Sequence, residues 1–521
     1  MSDAPLYQHP SEVARDHPGK AAIIMADSGA TVDYATLVAQ ANRVGHLFEK
    51  AGVKEGETVA FLLGNSTRYP ELIWGAKDSG IRYVCISTHL NPDDAAYIVR
   101  DSGAKLLVAD HGLKDLSQLV VERLENKPVL YMLGGSTCDF ADLDAILPTF
   151  PGHRIAGARR RGPSMLYSSG TTGRPKGVKT ILPDAPPEEP PQRFAMLRAQ
   201  YGLGDDSVFL NPGPFYHAAP NRFMMSVLRA GGTIVAFEKF APEPVLRAIQ
   251  DYRVTHGFFV PTMFGRMSAL PDDIRCQVDT GSLRHAIHAA APCSIALKRR
   301  MIEWWGPVID ELYAGTEAFG HSFINSAEWL DHPGSVGRPA ANCRIKIVDE
   351  QGRALAPGQV GRIMMSNGLR ISYHDDAAKS DLLYDDDGFA SLGDIGYLDE
   401  AGFLYLTDRE SHMIIVGGVN IYPQEVENIL IEHELIEDVA VIGVPDEDMG
   451  EQVRAVVQLR AGIGRQPGME QEIIQFCRNR LSLYKCPKSV DFMEQLPRSP
   501  MGKLLKRELR QRYWADRAHM I

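Results

Sequence analysis

The sequence MLYSSGTTGRPKGVK, residues 165–179, joins a short apolar run to a loop with almost no hydrophobic surface. Glycine permits positive φ and the close approach of a ligand, so successive backbone N–H groups in such a loop can face inward and form a nest for an anion. Ser and Thr hydroxyl groups add further donors, and Arg174 and Lys176 add positive charge. The stretch therefore predicts a loop that binds a polyphosphate.

The loop is not the phosphate-binding motif GxxxxGK[ST]. Pro175 stands where that motif has glycine, and Gly177 replaces its Ser or Thr. A stretch such as GTTG is by itself most often an ordinary polar turn, whereas the full string is far more specific.

Length and composition limit the class of protein. At 521 residues and 57.5 kDa the chain exceeds the size at which one hydrophobic core keeps growing, so we expect at least two domains. A net charge of -11 disfavours nucleic acid and anionic membranes as the main partner. We find no signal-peptide core and no run of about 18 apolar residues. The seven cysteines are scattered without a C-x-x-C pair, which favours the reducing cytoplasm.

The hydrophobic pattern predicts an α/β fold. Residues 34–52 have helical spacing and residues 58–64 read as a buried strand, and this alternation continues to about residue 261. Apolar strands separated by helices predict parallel sheets covered on both faces. From about residue 342, short strands and turns predict an antiparallel or barrel-like piece. The proline-rich residues 183–192 are interpreted as a solvent-exposed loop.

A small α+β segment follows the sequence TDRESHMIIVGG, residues 407–418. It contains a predicted helix at 422–433, two apolar strands, a second helix and a basic tail. We place the boundary near residues 409–412, which gives a large N-terminal domain, 1–409, and a small C-terminal domain, 410–521.

The string YSSGTTGRPKGV, residues 167–178, resembles the phosphate-loop signature of the adenylate-forming, or AMP-binding, superfamily, which includes acyl-CoA and aryl-CoA synthetases. Further blocks match in the family's order, and such an ordered set is not expected by chance. They are PFYHAAP (214–220), ELYAGTEAFG (311–320) and the stretches 334–349, 391–427 and 496–509. The resemblance implies a large α/β domain with two doubly wound sheets and a small barrel-like subdomain, followed by a mobile α+β domain that swivels.

The resemblance also implies a reaction in two halves. A carboxylate attacks the α-phosphate of ATP to give acyl-AMP and pyrophosphate, and the thiol of coenzyme A then displaces AMP. The first step joins two anions, so positive charge and orientation must be supplied. The residues implied to hold the β- and γ-phosphates are Ser168, Ser169, Gly170, Thr171, Thr172, Gly173 and Lys176.

The block YAGTE is implied to hold the rest of the triphosphate and the base. Thr316 would contact the α-phosphate and Glu317 would bind Mg²⁺, for which one carboxylate with phosphate oxygens is sufficient. Tyr313 would offer its ring to adenine, although a core aromatic residue is the plain alternative. The remaining residues placed at the nucleotide are Ala290 in HAAAP (288–292), Ala314 and Gly315.

Two further residues are placed at the ribose, and one at the reacting atoms. Asp394 has the charge to accept from the ribose hydroxyl groups, with Arg409 sharing the task; a turn residue is the alternative for Asp394. Lys503, read alone, is one of several cations on a solvated helix face. In the family its position is that of the catalytic lysine, which would bridge carboxylate and α-phosphate and then leave.

The departure of the lysine requires a hinge and a route for the thiol. The family's hinge position is occupied here by Ser411, followed by His412 where many relatives have an acid. Gly417 and Gly418 are implied to line the pantetheine tunnel after rotation. His217 resembles the residue at the wall between acyl pocket and tunnel, the alternative being a satisfied core histidine.

Four classes of function are considered. An acid–CoA ligase is favoured. An adenylation enzyme that loads an amino acid onto a carrier protein typically has an aspartate near the FYHAAP block, which is absent here, and no carrier domain is expected after Ile521. A luciferase-like oxygenase is not excluded by sequence. A non-catalytic nucleotide-binding scaffold would normally lack Lys503, Glu317 or Lys176, and all three are present.

The acid itself is less well defined. The stretches 217–228 and 285–294 predict a pocket of apolar and small side chains, and therefore a hydrophobic fatty, aryl or sterol-derived acid. Arg222 is interpreted as a surface cation, with contact to a second polar group of the substrate as the alternative. Many family members form homodimers, and no patch in this sequence decides the matter.

Overall fold

The computed structural model describes residues 7–157, 159–168, 176–315, 317, 319–368, 372–373, 384–499 and 502–514. The chain forms two compact units. The first contains Met1–Phe259, Met263–His288 and Arg370–Leu383, and the second contains Val260–Thr262, Ala289–Leu369 and Tyr384–Ile521.

The first unit is built on parallel strands, as the sequence predicts. The strands β3, β4, β5, β6 and β8 pair in parallel in one sheet, of order β19-β9-β8-β4-β3-β5-β6-β7. A second run has the order β13-β12-β10-β11-β1-β2, parallel except for β2. The bounds are β1 (Ala21–Met25), β2 (Thr31–Asp33), β3 (Thr58–Leu62), β4 (Arg82–Cys85), β5 (Ala104–Asp110), β6 (Val129–Leu133), β7 (Ala141–Asp142), β8 (Ser164–Ser168), β9 (Lys176–Lys179), β10 (Val208–Asn211), β11 (Thr233–Ala236), β12 (His256–Phe259), β13 (His285–His288) and β19 (Ser372–Tyr373).

Helices of the first unit begin at clear capping signals. The Asp33 carboxylate accepts from the Thr36 N–H at 2.7 Å at the start of α2, and Asn91 caps α4, whose first residue is Pro92. Their bounds are α1 (Pro10–Asp16), α2 (Tyr34–Lys50), α3 (Arg68–Asp78), α4 (Pro92–Asp101), α5 (Lys114–Glu122), α6 (Leu143–Ile146), α7 (Gln192–Tyr201), α8 (Ala218–Ala230), α9 (Pro242–Asp251) and α11 (Asp272–Arg275). Helix α10 (Pro261–Ser268) contains residues of both units.

The second unit changes to antiparallel pairing, which begins with β14 and β15 and therefore earlier than the predicted change at about residue 342. Its first part is a run of order β17-β18-β20-β21-β16-β15-β14. The bounds are β14 (Ile309–Ala314), β15 (His321–Ile324), β16 (Ser335–Pro339), β17 (Arg344–Val348), β18 (Gly361–Ser366), β20 (Asp394–Leu398) and β21 (Leu404–Arg409), with helices α12 (Ile295–Trp305) and α13 (Ser326–Asp331).

The C-terminal part of the second unit has its own sheet and core. Strands lie in the order β23-β22-β25-β24, with β26 paired to β25. Apolar side chains of these strands pack on two helices around Val426, Val441 and Ile473. The elements are β22 (Ile414–Val416), β23 (Val419–Ile421), α14 (Pro423–Leu430), β24 (Ile436–Asp446), β25 (Gly450–Leu459), α15 (Met469–Arg478), β26 (Ser489–Met493) and α16 (Lys506–Trp514).

The proline-rich segment is a loop, but it is not simply exposed. Pro187 is buried, and the buried Arg229 guanidinium donates to the Pro187 carbonyl at 3.0 Å and to the Glu188 carbonyl at 3.2 Å. All seven cysteines are free thiols. Over the described residues, we find no helix with the length and apolar character needed to span a membrane.

Candidate active site

A hydrogen-bonded chain joins three of the predicted nucleotide-binding residues in the second unit. Asp394 and Arg409 are register partners on the antiparallel strands β20 and β21, and their side chains form an ion pair with Arg409 Nε 3.1 Å from Asp394 Oδ1. The Tyr313 hydroxyl, on β14, donates to the other oxygen, Asp394 Oδ2, at 2.6 Å. Burial and the Asp394 carboxylate raise the pKa of Tyr313, so it remains a donor.

Lys503 belongs to this cluster. Burial and the Arg409 guanidinium lower its pKa to about 8, while the Asp394 and Glu317 carboxylates act in the opposite direction. A lysine that shares the field of two carboxylates and a guanidinium is not a member of a solvated helix face. The Lys503 ammonium is thus within electrostatic range of Arg409, Asp394 and Glu317.

The segment that carries Lys503 is anchored on both sides. Arg498 donates to Asp438 on β24 at 2.6 and 2.7 Å and also donates to the Gly502 carbonyl. The Gly502 N–H donates to Ser499 O at 2.8 Å, and Gly502 has φ +69°. A Cβ at Gly502 would lie 2.2 Å from Thr262 Oγ1, so only glycine permits this approach.

Glu317 follows β14 and is half-buried. A Cβ at Gly315 would lie 2.4 Å from the Leu392 side chain and 3.1 Å from Glu317 Oε2, which explains the glycine. No group of three or more potential metal ligands occurs among the residues that the structure describes. A single carboxylate with phosphate oxygens suits Mg²⁺ in such surroundings, because Mg²⁺ is seldom held by an all-protein cage. Thr316 lies outside the described residues.

The predicted adenine strand end is conformationally strained. Ala290 is exposed and has φ +76°, a region that non-glycine residues adopt rarely and at a cost of about 1–3 kcal/mol. Ala314 ends β14 and is also exposed. Backbone strain of this kind accumulates at ligand sites, so it supports the role given to Ala290.

His217 lies in the first unit, at the N-cap of α8, without a side-chain capping bond. The residue is half-buried, and its buried Nε2 has no hydrogen-bond partner in the described part of the chain. Burial, with a smaller effect of His89, lowers the pKa of His217 to about 4, so the ring is neutral at physiological pH. A buried ring nitrogen without a partner is uncommon in a satisfied core, and the role of His217 at the acyl pocket stays a prediction.

Most of the predicted phosphate loop cannot be described. Ser169, Gly170, Thr171, Thr172 and Gly173 lie outside the described residues. For Ser168 and Lys176 the backbone shows a register pair that closes the antiparallel β8–β9 ladder on either side of the loop. The loop's phosphate-binding role therefore stays a prediction.

Gly417 and Gly418 form the turn of the β22–β23 hairpin. Their φ values are +55° and +82°, as a two-residue turn of primed type requires. The Gly417 N–H donates to Met449 O at 2.9 Å, and a Cβ added at Gly418 would meet no atom within 4 Å. The glycines are thus explained by turn geometry, and their role in a tunnel is untested.

Sequence reasoning missed Asp408, next to Arg409. Its buried carboxylate accepts from the Gln424 N–H at 2.7 Å and lies 3.3 Å from His412 Nδ1. Although burial acts to raise it, the pKa of Asp408 is lowered by His412, by Lys506 and by backbone N–H groups. Asp408 thus links the strand before the predicted hinge to α14 after it, and His412 contacts this acid.

A second feature that sequence reasoning missed is a buried ion pair that stabilises β14. Lys298 Nζ is fully buried, lies 2.6 Å from Glu311 Oε2 and stands over the Trp329 ring at 4.9 Å. Because one strand carries both Glu311 and Tyr313, this buried pair fixes the strand that presents Tyr313. Neither side chain carries a sequence motif, so no signal pointed to the pair.

Comparison with known proteins identifies two family regions in the chain. Residues 11–369 match the family described as AMP-binding enzyme, and residues 425–503 match the AMP-binding enzyme C-terminal domain. The predicted boundary at 409–410 falls between the two matched ranges and stays a prediction.

The full-length relatives are named ligases. A fatty acid–[acyl-carrier-protein] ligase, ScoC, of Streptomyces coeruleorubidus is 31% identical and covers 99% of this chain and 98% of its own. A 2-succinylbenzoate–CoA ligase of Bacillus licheniformis is 30% identical over 97% of this chain and 100% of its own. The crystal structure of ATP-bound MatB from Rhodopseudomonas palustris superposes with a TM-score of 0.83 at 28% identity, covering 98% of this chain and 99% of its own.

The family model spans more than half of the sequence, and the fold is that of solved adenylate-forming enzymes. The chain therefore belongs to the AMP-binding enzyme family, among relatives that are named acyl-CoA and aryl-CoA ligases.

Proposed function

We propose that this protein is an acid–thiol ligase that forms acyl-AMP and pyrophosphate from a carboxylic acid and ATP, and then transfers the acyl group to coenzyme A with release of AMP. The observation that supports the proposal best is the chain Tyr313–Asp394–Arg409, which lies within electrostatic range of Lys503. An ammonium held there by the C-terminal segment is the charge that the first half-reaction needs.

Each described side chain has one task in this scheme. Asp394, oriented by Tyr313 and Arg409, retains lone pairs for the ribose hydroxyl groups. Lys503 neutralises the charge that develops when the carboxylate attacks the α-phosphate, and it holds the two anions together. Because the Lys503 segment is fixed to β24 through Arg498 and Asp438, movement of that sheet would carry the ammonium with it.

ATP, magnesium and coenzyme A are the implied co-substrates and cofactor. Glu317 would hold Mg²⁺ together with phosphate oxygens, and the ion would supply neutralisation of the polyphosphate charge. The undescribed phosphate loop would take the β- and γ-phosphates. His217, neutral and unsatisfied, would offer one hydrogen bond in the acyl pocket, and the buried methionines of α8 would pack against apolar carbon.

The acceptor has one specific alternative. The relative ScoC is named a ligase of fatty acid to an acyl-carrier protein, so the thiol here could be the pantetheine of a carrier. Fatty and aryl acids both occur among the names of relatives, which supports a hydrophobic acid as substrate.

The experiment is acid-dependent pyrophosphate release across a panel of aliphatic, aromatic and amino acids. Each acid is assayed without thiol, with coenzyme A and with a phosphopantetheinylated carrier protein. We expect release with hydrophobic acids and AMP formation that rises with coenzyme A. AMP formation with amino acids alone, or turnover with the carrier but never with coenzyme A, would overturn the assignment.

Substitution of Gly418 would distinguish the two half-reactions. Gly418→Leu should reduce acyl transfer to coenzyme A at least tenfold while acyl-AMP still forms, because a large side chain would occupy open space at the turn. Gly418→Asn is the matched control, since asparagine tolerates positive φ better than leucine. If both variants transfer the acyl group like wild type, the turn does not line the thiol route.

A further inference from the structure

A buried ion pair lies three residues after Lys503 in the chain, and the scheme above gives it no task. Lys506 is the first residue of α16, and its Nζ lies 2.7 Å from Glu427 Oε1 in the last turn of α14. The two side chains are 6% and 8% exposed. Glu427 Oε1 also accepts from the Val441 N–H of β24 at 2.7 Å. The pair therefore joins the start of α16 to α14 and β24, all within the C-terminal part of the second unit.

The positions of the two charges lower stability rather than add to it. A cation at the first residue of a helix and an acid in the last turn of a helix both oppose the helix dipole, and here both occur in one contact. Moving two charges out of water is costly, and apolar side chains of similar size often stabilise a buried position equally well or better. Burial raises the pKa of Glu427, and Lys506 and the Val441 N–H oppose that shift. Stability alone therefore does not explain why a lysine and a glutamate meet here.

The pair holds the segment that carries Lys503 from its C-terminal side. The Lys503 backbone is fixed in a compact turn, because the Ser499 N–H donates to the Lys503 carbonyl at 2.8 Å and the Lys503 N–H donates to Ser499 Oγ at 3.1 Å. From Lys503 to Lys506 the chain spans at most about 10 Å. On the N-terminal side Arg498 binds Asp438, but those side chains are 28% and 19% exposed. The Lys506 pair is thus the more deeply buried of the two anchors.

Helix α16 has further contacts that hold it to its sheet without Lys506. Arg510, one turn further along, has Nη2 2.9 Å from Glu451 Oε1 on β25, and its side chain is 27% exposed. Trp514 Nε1 donates to the Gly443 carbonyl at 3.1 Å, and Leu509 is buried against apolar residues of β24 and β25. Loss of the Lys506 pair would therefore act on the start of α16 and leave the rest of the helix docked.

We propose that Lys506 is a positioning residue for acyl-AMP formation, because its buried pair with Glu427 fixes the start of α16 and with it the place of the Lys503 ammonium. The inference rests on the proposed ligase function, in which Lys503 meets the carboxylate and the α-phosphate. A displacement of about 1 Å at a reacting group is enough to slow a reaction about a hundredfold. Lys506 acts through Lys503 and is assigned no contact with substrate.

The test removes both charges, so that neither is left buried alone. Lys506→Met is combined with Glu427→Gln, which keeps an acceptor for the Val441 N–H. Lys506→Arg is the conservative variant, and Arg510→Met is the matched control on the same helix. The acid is octanoate or benzoate, whichever gives more pyrophosphate release with wild type. Acyl-AMP formation is measured in single turnovers, transfer to coenzyme A is measured from supplied acyl-AMP, and Tm is recorded for each variant.

We expect the double variant to form acyl-AMP at least tenfold more slowly, with the half-saturating ATP concentration changed less than twofold. Its transfer to coenzyme A should stay within twofold of wild type and its Tm within about 3 °C, since no charge is left buried without a partner. Lys506→Arg should keep most of the rate, and Arg510→Met should change neither half-reaction. A wild-type rate of acyl-AMP formation in the double variant would overturn the inference. An equal loss in both half-reactions would also overturn it, because the pair would then support only the fold.

A second readout does not depend on turnover. Acylation of Lys503 by acetic anhydride is followed by mass spectrometry as the pH is raised, because only the uncharged amine reacts. Burial and Arg409 lower the pKa of Lys503 to about 8, so the wild-type midpoint should lie there, and that of the double variant should lie nearer the ordinary lysine value. An unchanged midpoint would overturn the inference. If wild type releases no pyrophosphate with any acid of the panel, the ligase proposal fails, whereas a shifted midpoint would still show that the pair positions Lys503.

Discussion

Two lysines of this molecule, one in each unit, share a lowered pKa but differ in their surroundings. Lys503 is lowered to about 8 by burial and Arg409, and two carboxylates act against that shift. Lys77 is lowered to about 7 by burial and three arginines, and only Asp78 opposes the shift. Two carboxylates thus act on the pKa of the first lysine, and one acts on that of the second. The balance at the first lysine is consistent with the role proposed for Lys503 in the adenylation step.

The largest effect is expected from a substitution of Lys503, the first lysine of this comparison. Lys503→Ala should slow acyl-AMP formation about a hundredfold to a thousandfold, because a charge aimed at the transition state is lost. Transfer to coenzyme A from supplied acyl-AMP should be retained. The measurement is single-turnover kinetics of each half-reaction. Arg507→Ala, an exposed cation on the same segment, is the control, and an equal loss in both halves would contradict a lysine that acts in one step only.

The pH dependence of the first half-reaction sharpens the same point. A lysine whose pKa is lowered to about 8 is charged below that pH and loses its charge above it, so kcat/KM for acyl-AMP formation should fall as the pH rises through about 8. The Lys503→Arg variant keeps its charge over this range, so its kcat/KM should not fall at alkaline pH, even if its maximal kcat/KM is lower than that of wild type. If kcat/KM of the arginine variant falls in the same way at alkaline pH, a group other than Lys503 causes the decrease.

Two substitutions of Tyr313 separate the contribution of its hydroxyl group to ATP binding from that of its ring, and the expected effect is smaller. Tyr313→Phe keeps the ring but removes the 2.6 Å hydrogen bond to Asp394, so the KM for ATP should rise about fivefold with little change in kcat. Tyr313→Ala also removes the ring and should raise this KM further. If the Phe and Ala variants are equal, the ring does not contact adenine and only the hydroxyl matters.

The regular elements could be predicted from sequence, because their signals are local. The helical spacing of 34–52 and the apolar run of 58–64 correspond to Tyr34–Lys50 and Thr58–Leu62. The change to antiparallel strands was predicted too late, at about residue 342, because β14, β15 and β16 already pair antiparallel. A family resemblance identified Tyr313, Asp394 and Lys503 as one site, although the sequence itself does not show which side chains meet.

The partners of buried charges could not be predicted, since they lie far apart in the chain. Tyr313 and Asp394 are 81 residues apart, and only the fold shows that the hydroxyl donates to the carboxylate. Arg222, interpreted as a surface cation, is half-buried in the structure. The segment 183–192 was read as solvated because of its prolines, and the guanidinium of Arg229, which binds its carbonyl groups, carries no local signal.

The smallest effect is expected on the thermal stability of a Lys77 variant. A lysine whose pKa is lower in the folded than in the unfolded chain binds fewer protons when folded, so folding is penalised most below about pH 7 and the penalty fades as the pH rises towards the ordinary lysine value. Lys77→Met should therefore raise Tm by roughly 1–3 °C near about pH 6 and by less near about pH 10. Lys50→Met, at an exposed lysine in the last turn of α2, should change Tm at neither pH. A lower Tm for Lys77→Met at both values would show that the ammonium already has a partner that stabilises it, and the contrast with Lys503 would then disappear.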